Sequence, residues 1–390
     1  MRQKIMTLAV VAVVTAALSS CSAPAVDENE ALSLAITGAE EGVPILEYDP
    51  TWPKRPLPND GIFGAILAID VDDEDHVWVM HWPHYIQGGF SSATMKPLAF
   101  VSEFDANGEL LQQWGEAEDP NLPAPGFEWA RDRGGAHGIY SDYKGNIWTG
   151  SHTPGARYEG AYANLAKFTN DGTLIMQKGA FGQSTGNADT ENFGQPTGIV
   201  VDEETNEAFI ADGYDNRRVI VIDADTMAFK RMWGAYGNEP VDGPLPARTP
   251  DSEPSQQFTG VHCIKMSQDG LLYVCDRPNN RVQVFQKDGT FVQEGFVATG
   301  FGTVADVAFS SGPEQRFVYV ADGSNRKVWI LRRDTMETVG SFGNWGNYGG
   351  EFAAYMHAIA SDSKGNVYVG EFQGGDRVQR FKVVGFEEGS

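Results

Sequence analysis

The sequence predicts an all-β fold, a six-bladed β-propeller. Short apolar runs are separated by turn residues along most of the 390-residue chain. The same unit, built from an apolar run, a turn and a second apolar run, recurs six times between residue 63 and the C-terminus. A sheet of three or four antiparallel strands cannot bury both of its faces alone. The repetition therefore predicts blades that pack against one another around an axis.

The six units differ in clarity. The first is the loosest, and the fourth is the clearest, because Gln-Asp-Gly and Pro-Asn-Asn turns divide its three runs and a Lys-Asp-Gly turn introduces a fourth strand. In chain order, the strand pairs that open the units are 67–70 and 77–80, 137–142 and 145–150, 198–202 and 208–212, 260–266 and 271–276, 306–309 and 318–322, and 357–362 and 365–370.

The N-terminus reads as a secretion signal. Residues 1–4 are basic and residues 6–18 are apolar or small, a stretch too short to span a bilayer. The stretch Leu18-Ser19-Ser20-Cys21 resembles the lipobox of bacterial lipoproteins, which implies cleavage before Cys21 and its lipidation. An ordinary secretory signal is the alternative. Since serine rather than aspartate follows Cys21, the resemblance implies the outer membrane, on its periplasmic or cell-surface side.

The domain boundaries follow from these features. Residues 1–20 are predicted to be the signal peptide, 21–42 the lipidated cysteine and a flexible tether, and 43–386 the propeller. The last unit has only three clear strands, and a propeller avoids an exposed edge by lending one terminus to the other terminal blade. The segment 43–48 is the predicted fourth strand of the last blade.

Charge and cysteine content limit the partners. Asp and Glu number 53 against 29 Lys and Arg, and no basic stripe occurs. Nucleic acid is therefore not an expected partner, and a membrane would be reached through the lipid rather than through basic residues. Cys263 and Cys275 flank one turn almost symmetrically. Both a cross-strand disulfide and two free thiols are compatible with that spacing.

Three of the seven histidines share one register. His137, His262 and His357 each stand just before the apolar pair of a first strand, in alternate units. The other units carry Thr197, Ala305 and about Ala65 at this place. Because first strands line the channel of a propeller, the three imidazoles would converge on the axis and form a metal site with an open face. Neutral imidazole suits zinc or another transition metal. The alternative is three histidines that line the channel and bind water or carbonyl groups.

Two further residues interrupt the repeat where a second strand ends. Tyr214 and Arg277 are expected on one face of the propeller. An arginine offers a planar fork for a carboxylate, and a tyrosine beside a metal can act as a base, so both are candidate catalytic residues. The neighbouring Asp and Asn-Arg pairs recur in most units and are expected to tie turns together.

The units resemble NHL repeats over most of residues 60–385. More narrowly, the chain resembles peptidyl-α-hydroxyglycine α-amidating lyases in Ala-His137-Gly-Ile, Asp-Gly-Tyr214-Asp-Asn-Arg-Arg, His262, Cys-Asp-Arg277-Pro-Asn-Asn-Arg and Met-His357-Ala-Ile. The resemblance implies that the three histidines bind zinc while Tyr214 and Arg277 act on the substrate. The implied reaction cleaves a C–N bond of a hydroxyglycine and releases glyoxylate and an amide.

Three positions depart from that family. The first unit reads His81-Trp82-Pro83 where the family has His-Arg-Gly with a second active-site arginine. Ala358 replaces a calcium-ligating aspartate, and Asp215 replaces a disulfide cysteine.

Two functions are therefore expected. The first is a metal-dependent lyase or hydrolase for a small carboxylate-bearing or peptide substrate. The second is a non-catalytic propeller that binds a protein, peptide or glycan at the cell envelope. An aromatic binding face would then include Trp82, Trp148, Trp233 and Tyr236.

Overall fold

A computed structural model describes residues 42–83, 96–115, 136–151, 165–180, 183–246, 252–297, 304–372 and 374–387. The signal peptide, Cys21 and nearly all of the tether, through residue 41, lie outside these residues. Within them, no helix is long and apolar enough to cross a membrane.

The described chain is built almost entirely from strands. The strands are β1 (Val43–Asp49), β2 (Gly61–Ile62), β3 (Ala65–Val71), β4 (Val77–Trp82), β5 (Lys96–Pro97), β6 (Val101–Phe104), β7 (Leu110–Trp114), β8 (Ala136–Ser141), β9 (Asn146–Ser151), β10 (Leu165–Thr169), β11 (Leu174–Lys178), β12 (Pro196–Asp202), β13 (Glu207–Asp212), β14 (Arg218–Asp223), β15 (Phe229–Trp233), β16 (Val261–Met266), β17 (Leu272–Asp276), β18 (Arg281–Phe285), β19 (Phe291–Phe296), β20 (Val304–Phe309), β21 (Phe317–Asp322), β22 (Lys327–Arg332), β23 (Thr338–Phe342), β24 (Tyr355–Ser361), β25 (Val367–Phe372) and β26 (Val378–Glu387).

Six four-stranded antiparallel sheets form the six blades, which confirms the predicted fold class. From the axis outward, the blades are β3-β4-β6-β7, β8-β9-β10-β11, β12-β13-β14-β15, β16-β17-β18-β19, β20-β21-β22-β23 and β24-β25-β26-β1. The strand at 43–49 pairs with β26 as the outer strand of the sixth blade. The N-terminal segment therefore closes the ring as the sequence predicts.

The hydrophobic core is divided among the blades. Six buried clusters are present in the described chain, and each one fills the space between two consecutive blades. Inner strands are thus covered on both faces, which is why they read as continuous apolar runs rather than as alternating patterns. A ring of pairwise contacts lets a chain of this length fold without one oversized core.

A β-bulge near the start of each inner strand turns side chains toward the axis. The unpaired residue is His262 in β16 and His357 in β24, and it is Gly138, next to His137, in β8. In the remaining three inner strands it is Leu67, Thr197 and Ala305. The expected equivalent at Ala65 is therefore wrong by two residues, because the irregular first unit hides its bulge from a sequence alignment.

Buried ion pairs tie the loops to the blades. Arg218 contacts Asp212 at 2.9 Å and Arg281 contacts Asp276 at 2.9 Å, and all four side chains are fully buried. The Arg218 guanidinium also donates to backbone oxygens of Asn187 and Asn192. The interpretation of the recurring Asp and Asn-Arg residues as turn ties is confirmed.

Candidate metal centre

His137, His262 and His357 meet on the axis of the propeller. One ring nitrogen from each lies within 4.8 Å of the others, and all three side chains are buried. The ring centroids are 4.8 to 4.9 Å apart. The structure therefore brings together the three residues that the sequence placed in one register, and these residues could hold a metal ion.

Backbone carbonyls of the neighbouring blades orient the imidazoles. Nδ1 of His137 lies 3.1 Å from the Thr197 oxygen, and Nδ1 of His262 lies 2.6 Å from the Ala305 oxygen. Nδ1 of His357 likewise contacts the Leu67 oxygen at 2.7 Å. A carbonyl only accepts hydrogen bonds, so each Nδ1 carries the proton and each Nε2 keeps its lone pair. This is the support that metal-binding histidines require.

The centre fits a cation better than a hydrogen-bonded network. Nε2 of His262 is buried and has no hydrogen-bond partner among the described residues. Burial holds the pKa of His262 well below its ordinary value, and the positive charge of Arg277 and the two other imidazoles act in the same direction. A neutral imidazole with a buried, unused lone pair is the form that binds a metal.

Tyr214 and Arg277 lie directly above this triad. The Tyr214 hydroxyl is 3.4 Å from Nε2 of His137, and the Arg277 guanidinium donates to that hydroxyl at 3.2 Å. The guanidinium also stacks over the Tyr214 ring at 5.2 Å. The loops that follow β13 and β17 thus bring Tyr214 and Arg277 close to the three histidines.

The charges of this pair are coupled. Burial raises the pKa of Tyr214, while the nearby Arg277 opposes the rise. The pKa of Arg277 is raised, because the phenol groups of Tyr214 and Tyr355 outweigh the opposing effect of burial. The site therefore holds a permanent cation next to a hydroxyl group that can donate or, once ionised, accept a proton.

A small cavity continues along the axis beneath the triad. Its volume is about 30 Å³, and its lining includes Lys265 and Asp306 as well as the histidines. Lys265 lies 3.8 Å from the buried carboxylate of Asp70. Buried carboxylates thus stand on the side of the triad away from Tyr214 and Arg277.

Two aromatic residues of the site escaped the sequence analysis. The Phe372 ring lies 5.2 Å from that of His357, and the Tyr355 ring lies 6.1 Å from it. Tyr355 is also near enough to Arg277 to act on its charge. Both residues are local to the last unit. The available signal was the place of Phe372, which follows Glu371 in the sixth blade as Arg277 follows Asp276 in the fourth.

The departures from the amidating lyases have structural roles here. His81 is fully buried, and its Nδ1 accepts the Gly64 N–H at 3.0 Å, so it belongs to the core rather than to the site. Ala358 is buried in the cluster between the sixth and first blades. Asp215 is exposed and accepts a hydrogen bond from Gln195 at 2.5 Å.

The structure also shows how the two cysteines pair and where the predicted aromatic binding residues lie. Cys263 and Cys275 are directly opposite in β16 and β17 and form a disulfide. Trp82, Trp148 and Trp233 are buried between blades, so their interpretation as an exposed binding face is wrong. Tyr236 is half-buried, packs against the cluster between the third and fourth blades, and donates to Glu294 at 2.8 Å. Their apolar surface is used by the fold.

Three comparisons relate the chain to known proteins. A model of the NHL repeat matches residues 258–285. The chain is 32% identical to peptidyl-glycine alpha-amidating monooxygenase B of Xenopus laevis over 160 residues, which cover 40% of the chain and 16% of that relative. It is 24% identical to NHL repeat-containing protein 3 of Homo sapiens over 352 residues, which cover 86% and 84%.

Among solved structures, a streptogramin B lyase is similar at 12% identity and a TM-score of 0.49, covering 87% of this chain and 97% of that chain. The curated amidating relatives are matched over only about a sixth of their length. The chain is a six-bladed β-propeller that contains an NHL repeat and is similar in sequence to peptidyl-glycine alpha-amidating monooxygenases.

Proposed function

We propose that the chain is a metal-dependent lyase that cleaves the C–N bond of α-hydroxyglycine compounds. The observation that carries this proposal is the stacking of the Tyr214–Arg277 pair on three converging imidazoles, with 3.4 Å between Tyr214 and His137. A site of three histidines with an open face is the ligand set of a catalytic zinc centre. The sequence similarity to amidating monooxygenases supports the choice of substrate.

Bound zinc would supply a Lewis acid for the substrate oxygen and a positive charge that favours the phenolate of Tyr214. His137, His262 and His357 would hold it. Arg277 pairs with the substrate carboxylate and orients it over the triad. Tyr214 accepts the proton of the substrate hydroxyl while the C–N bond breaks. The electron pair of the O–H bond forms the carbonyl of glyoxylate, the nitrogen keeps the electron pair of the C–N bond, and Tyr214 returns the proton to that nitrogen to give the amide.

The direct test is glyoxylate release from α-hydroxyhippurate by the zinc-loaded protein. We expect catalysis in the wild type and a loss of at least about a hundredfold in kcat for Tyr214→Phe, the usual contribution of a general base. Metal content should be the same in both proteins. Equal rates in the two proteins, or none in the wild type, would contradict the lyase.

A non-catalytic binding module is the second candidate. The alignment with NHL repeat-containing protein 3 covers most of both chains, whereas the match to the amidating monooxygenase covers only 40% of this chain. Ligand capture at the envelope would then be indifferent to a chelator, whereas substrate cleavage would stop when the metal is removed.

We also propose that Cys21 anchors this domain to the outer membrane by a lipid, on the strength of residues 18–21. The disulfide between Cys263 and Cys275 supports an extracytoplasmic location, because such bonds persist in oxidising compartments.

A further inference from the structure

The rim of the metal centre has chemically different sides. In five blades, one second-strand residue pairs with the inner-strand residue directly before the bulge, and the residue that follows this second-strand residue stands at the top of the channel. These residues are Trp82, Gly213, Arg277, Gly323 and Phe372. Going around the ring, blades three and four form a polar side, blade five has no side chain at this place because it carries Gly323, and blades six and one form an apolar side.

Blades three and four provide the polar side. Arg277 comes from the fourth blade, and the neighbouring Tyr214 follows Gly213 in the third. A substrate carboxylate has its counter-charge only here among the rim residues that the structure describes. One end of the substrate is therefore oriented toward these blades.

Blades six and one provide the apolar side. The half-buried Phe372 ring contacts the His357 ring at 5.2 Å, and Trp82 supports it from behind at 5.3 Å. Tyr355 fills the gap in the fifth blade, since a Cβ at Gly323 would lie 2.5 Å from the Tyr355 ring. An aromatic wall thus continues from Trp82 to the edge of Arg277.

We infer that the site selects α-hydroxyglycines whose N-acyl group is aromatic or large and apolar. This inference rests on the proposed lyase function. With the carboxylate on Arg277 and the hydroxyl group over the triad, the acyl group would lie against Phe372, the apolar side of the rim that the described residues provide. A benzoyl group would cover the Phe372 ring, whereas an acetyl group would leave most of it in contact with water.

Binding of two unreactive analogues to the zinc-loaded protein tests this selectivity. Hippurate carries a benzoyl group and N-acetylglycine an acetyl group, and calorimetry gives the dissociation constant of each. We expect hippurate to bind at least about tenfold more tightly, the usual scale of discrimination by an apolar pocket. Phe372→Ala should reduce this ratio toward one, and Phe372→Leu should give an intermediate ratio.

Two control variants separate the contact with the acyl group from the contact with the carboxylate. Trp345 is 74% exposed and lies between the fifth and sixth blades, so Trp345→Ala should retain the ratio. Arg277→Met should weaken both analogues by the same factor, because it removes only the carboxylate contact.

The outcomes distinguish the selectivity from the lyase itself. Equal or reversed affinities in the wild type, combined with glyoxylate release from α-hydroxyhippurate, would overturn the selectivity alone. A tenfold ratio that persists in a folded, zinc-loaded Phe372→Ala protein would also overturn it. If neither analogue binds and no glyoxylate is released, the lyase fails and the selectivity fails with it.

Discussion

At the scale of the residue, the three axial histidines depend on backbone atoms of other blades. Each Nδ1 donates to a carbonyl of the next blade, at Thr197, Ala305 or Leu67. Assembly of the ring therefore fixes the tautomer of the imidazoles and the direction of their lone pairs. These carbonyl groups are present whichever residue occupies the position, so a substitution there does not remove the acceptor. The orientation of the imidazoles therefore depends on the packing of the blades.

Replacement of Arg277 should affect substrate binding more than chemistry. Arg277→Lys keeps the charge but loses the planar fork, and Arg277→Met loses both. We expect KM for a carboxylate-bearing hydroxyglycine to rise in both variants, by more than about tenfold in Arg277→Met, since a charge-assisted hydrogen bond contributes about 1.5–3 kcal/mol. Steady-state kinetics on both variants would measure this. An unchanged KM in Arg277→Met would show that the carboxylate binds elsewhere.

Asp70 gives the protein a pH dependence that can be isolated. Burial raises the pKa of Asp70 to about 6 from 3.8, against the opposing influence of Lys265 and the Ser141 N–H. A raised pKa in the folded state means that this group favours folding below about pH 4, and that the benefit is lost as the pH rises through about 6.

The variant Asp70→Asn cannot ionise at this position, so it should not lose this stability as the pH rises. Between pH 4 and pH 7, the free energy of unfolding of the variant relative to the wild type should rise by up to about 3 kcal/mol, since one pKa unit corresponds to about 1.4 kcal/mol. Urea denaturation at both pH values measures the difference. Parallel pH profiles of the two proteins would contradict the assignment.

At the scale of the element, buried ion pairs connect loops to the third and fourth blades. Arg218 reaches from β14 to Asp212 at the end of β13 and to the backbone at Asn187 and Asn192. Those two residues lie in the segment between β11 and β12 that joins the second and third blades. One fully buried guanidinium thus holds the connection that leads into the strand beside His137.

Arg218→Met should destabilise the protein by about 3–5 kcal/mol, because it leaves the buried Asp212 carboxylate without its partner. The neighbouring Arg217 is only partly buried, and its guanidinium bonds a single carbonyl in an exposed position. Arg217→Met should therefore cost less than about 1 kcal/mol. Chemical denaturation measures the free energy of unfolding of both variants. An equal decrease in the two would show that the buried Arg218–Asp212 pair contributes no more to stability than the partly exposed Arg217.

The repeated elements were predictable from sequence, and the site only in part. Buried inner strands leave apolar runs that recur, and the register of His137, His262 and His357 follows from them. The bulge at Leu67 and the pairing of each Nδ1 with a carbonyl have no sequence signature, because any residue supplies a carbonyl. Phe372 and Tyr355 were missed since each occurs in one unit and the repeat offers no second copy for comparison.

At the scale of the whole molecule, closure of the ring maintains the axial site. β1 adds the outer strand of the sixth blade, and Asp49 at its end pairs with Arg380 of β26. Hydrogen bonds from Thr51 and the charges of Lys382 and Arg380 hold the pKa of Asp49 well below its usual range, although burial acts to raise it. His357 belongs to the same blade, so an open ring would loosen one of the three imidazoles.

A chain that begins at Thr51 should expose the edge of β26 and lose the Asp49 ion pair. Compared with a chain that begins at Gly42, we expect a melting temperature lower by more than about 10 °C, given that 1 kcal/mol shifts a large domain by about 2–4 °C. Scanning calorimetry on both chains would measure it. A shift of less than 2 °C would mean that three strands suffice to close the sixth blade.

The central claim is that the axial histidines bind a metal ion, and metal content measured by mass spectrometry tests it most directly. One other group in the described chain, Asp72, His76 and Glu103, could also hold an ion, although His76 already bonds Glu103 at 2.8 Å. The measurement therefore uses the protein without residues 1–41 as wild type, His262→Ala and His76→Ala. We predict about one equivalent of a transition metal in the wild type and in His76→Ala, and its loss in His262→Ala. No metal after zinc is offered, or loss only in His76→Ala, would contradict the account.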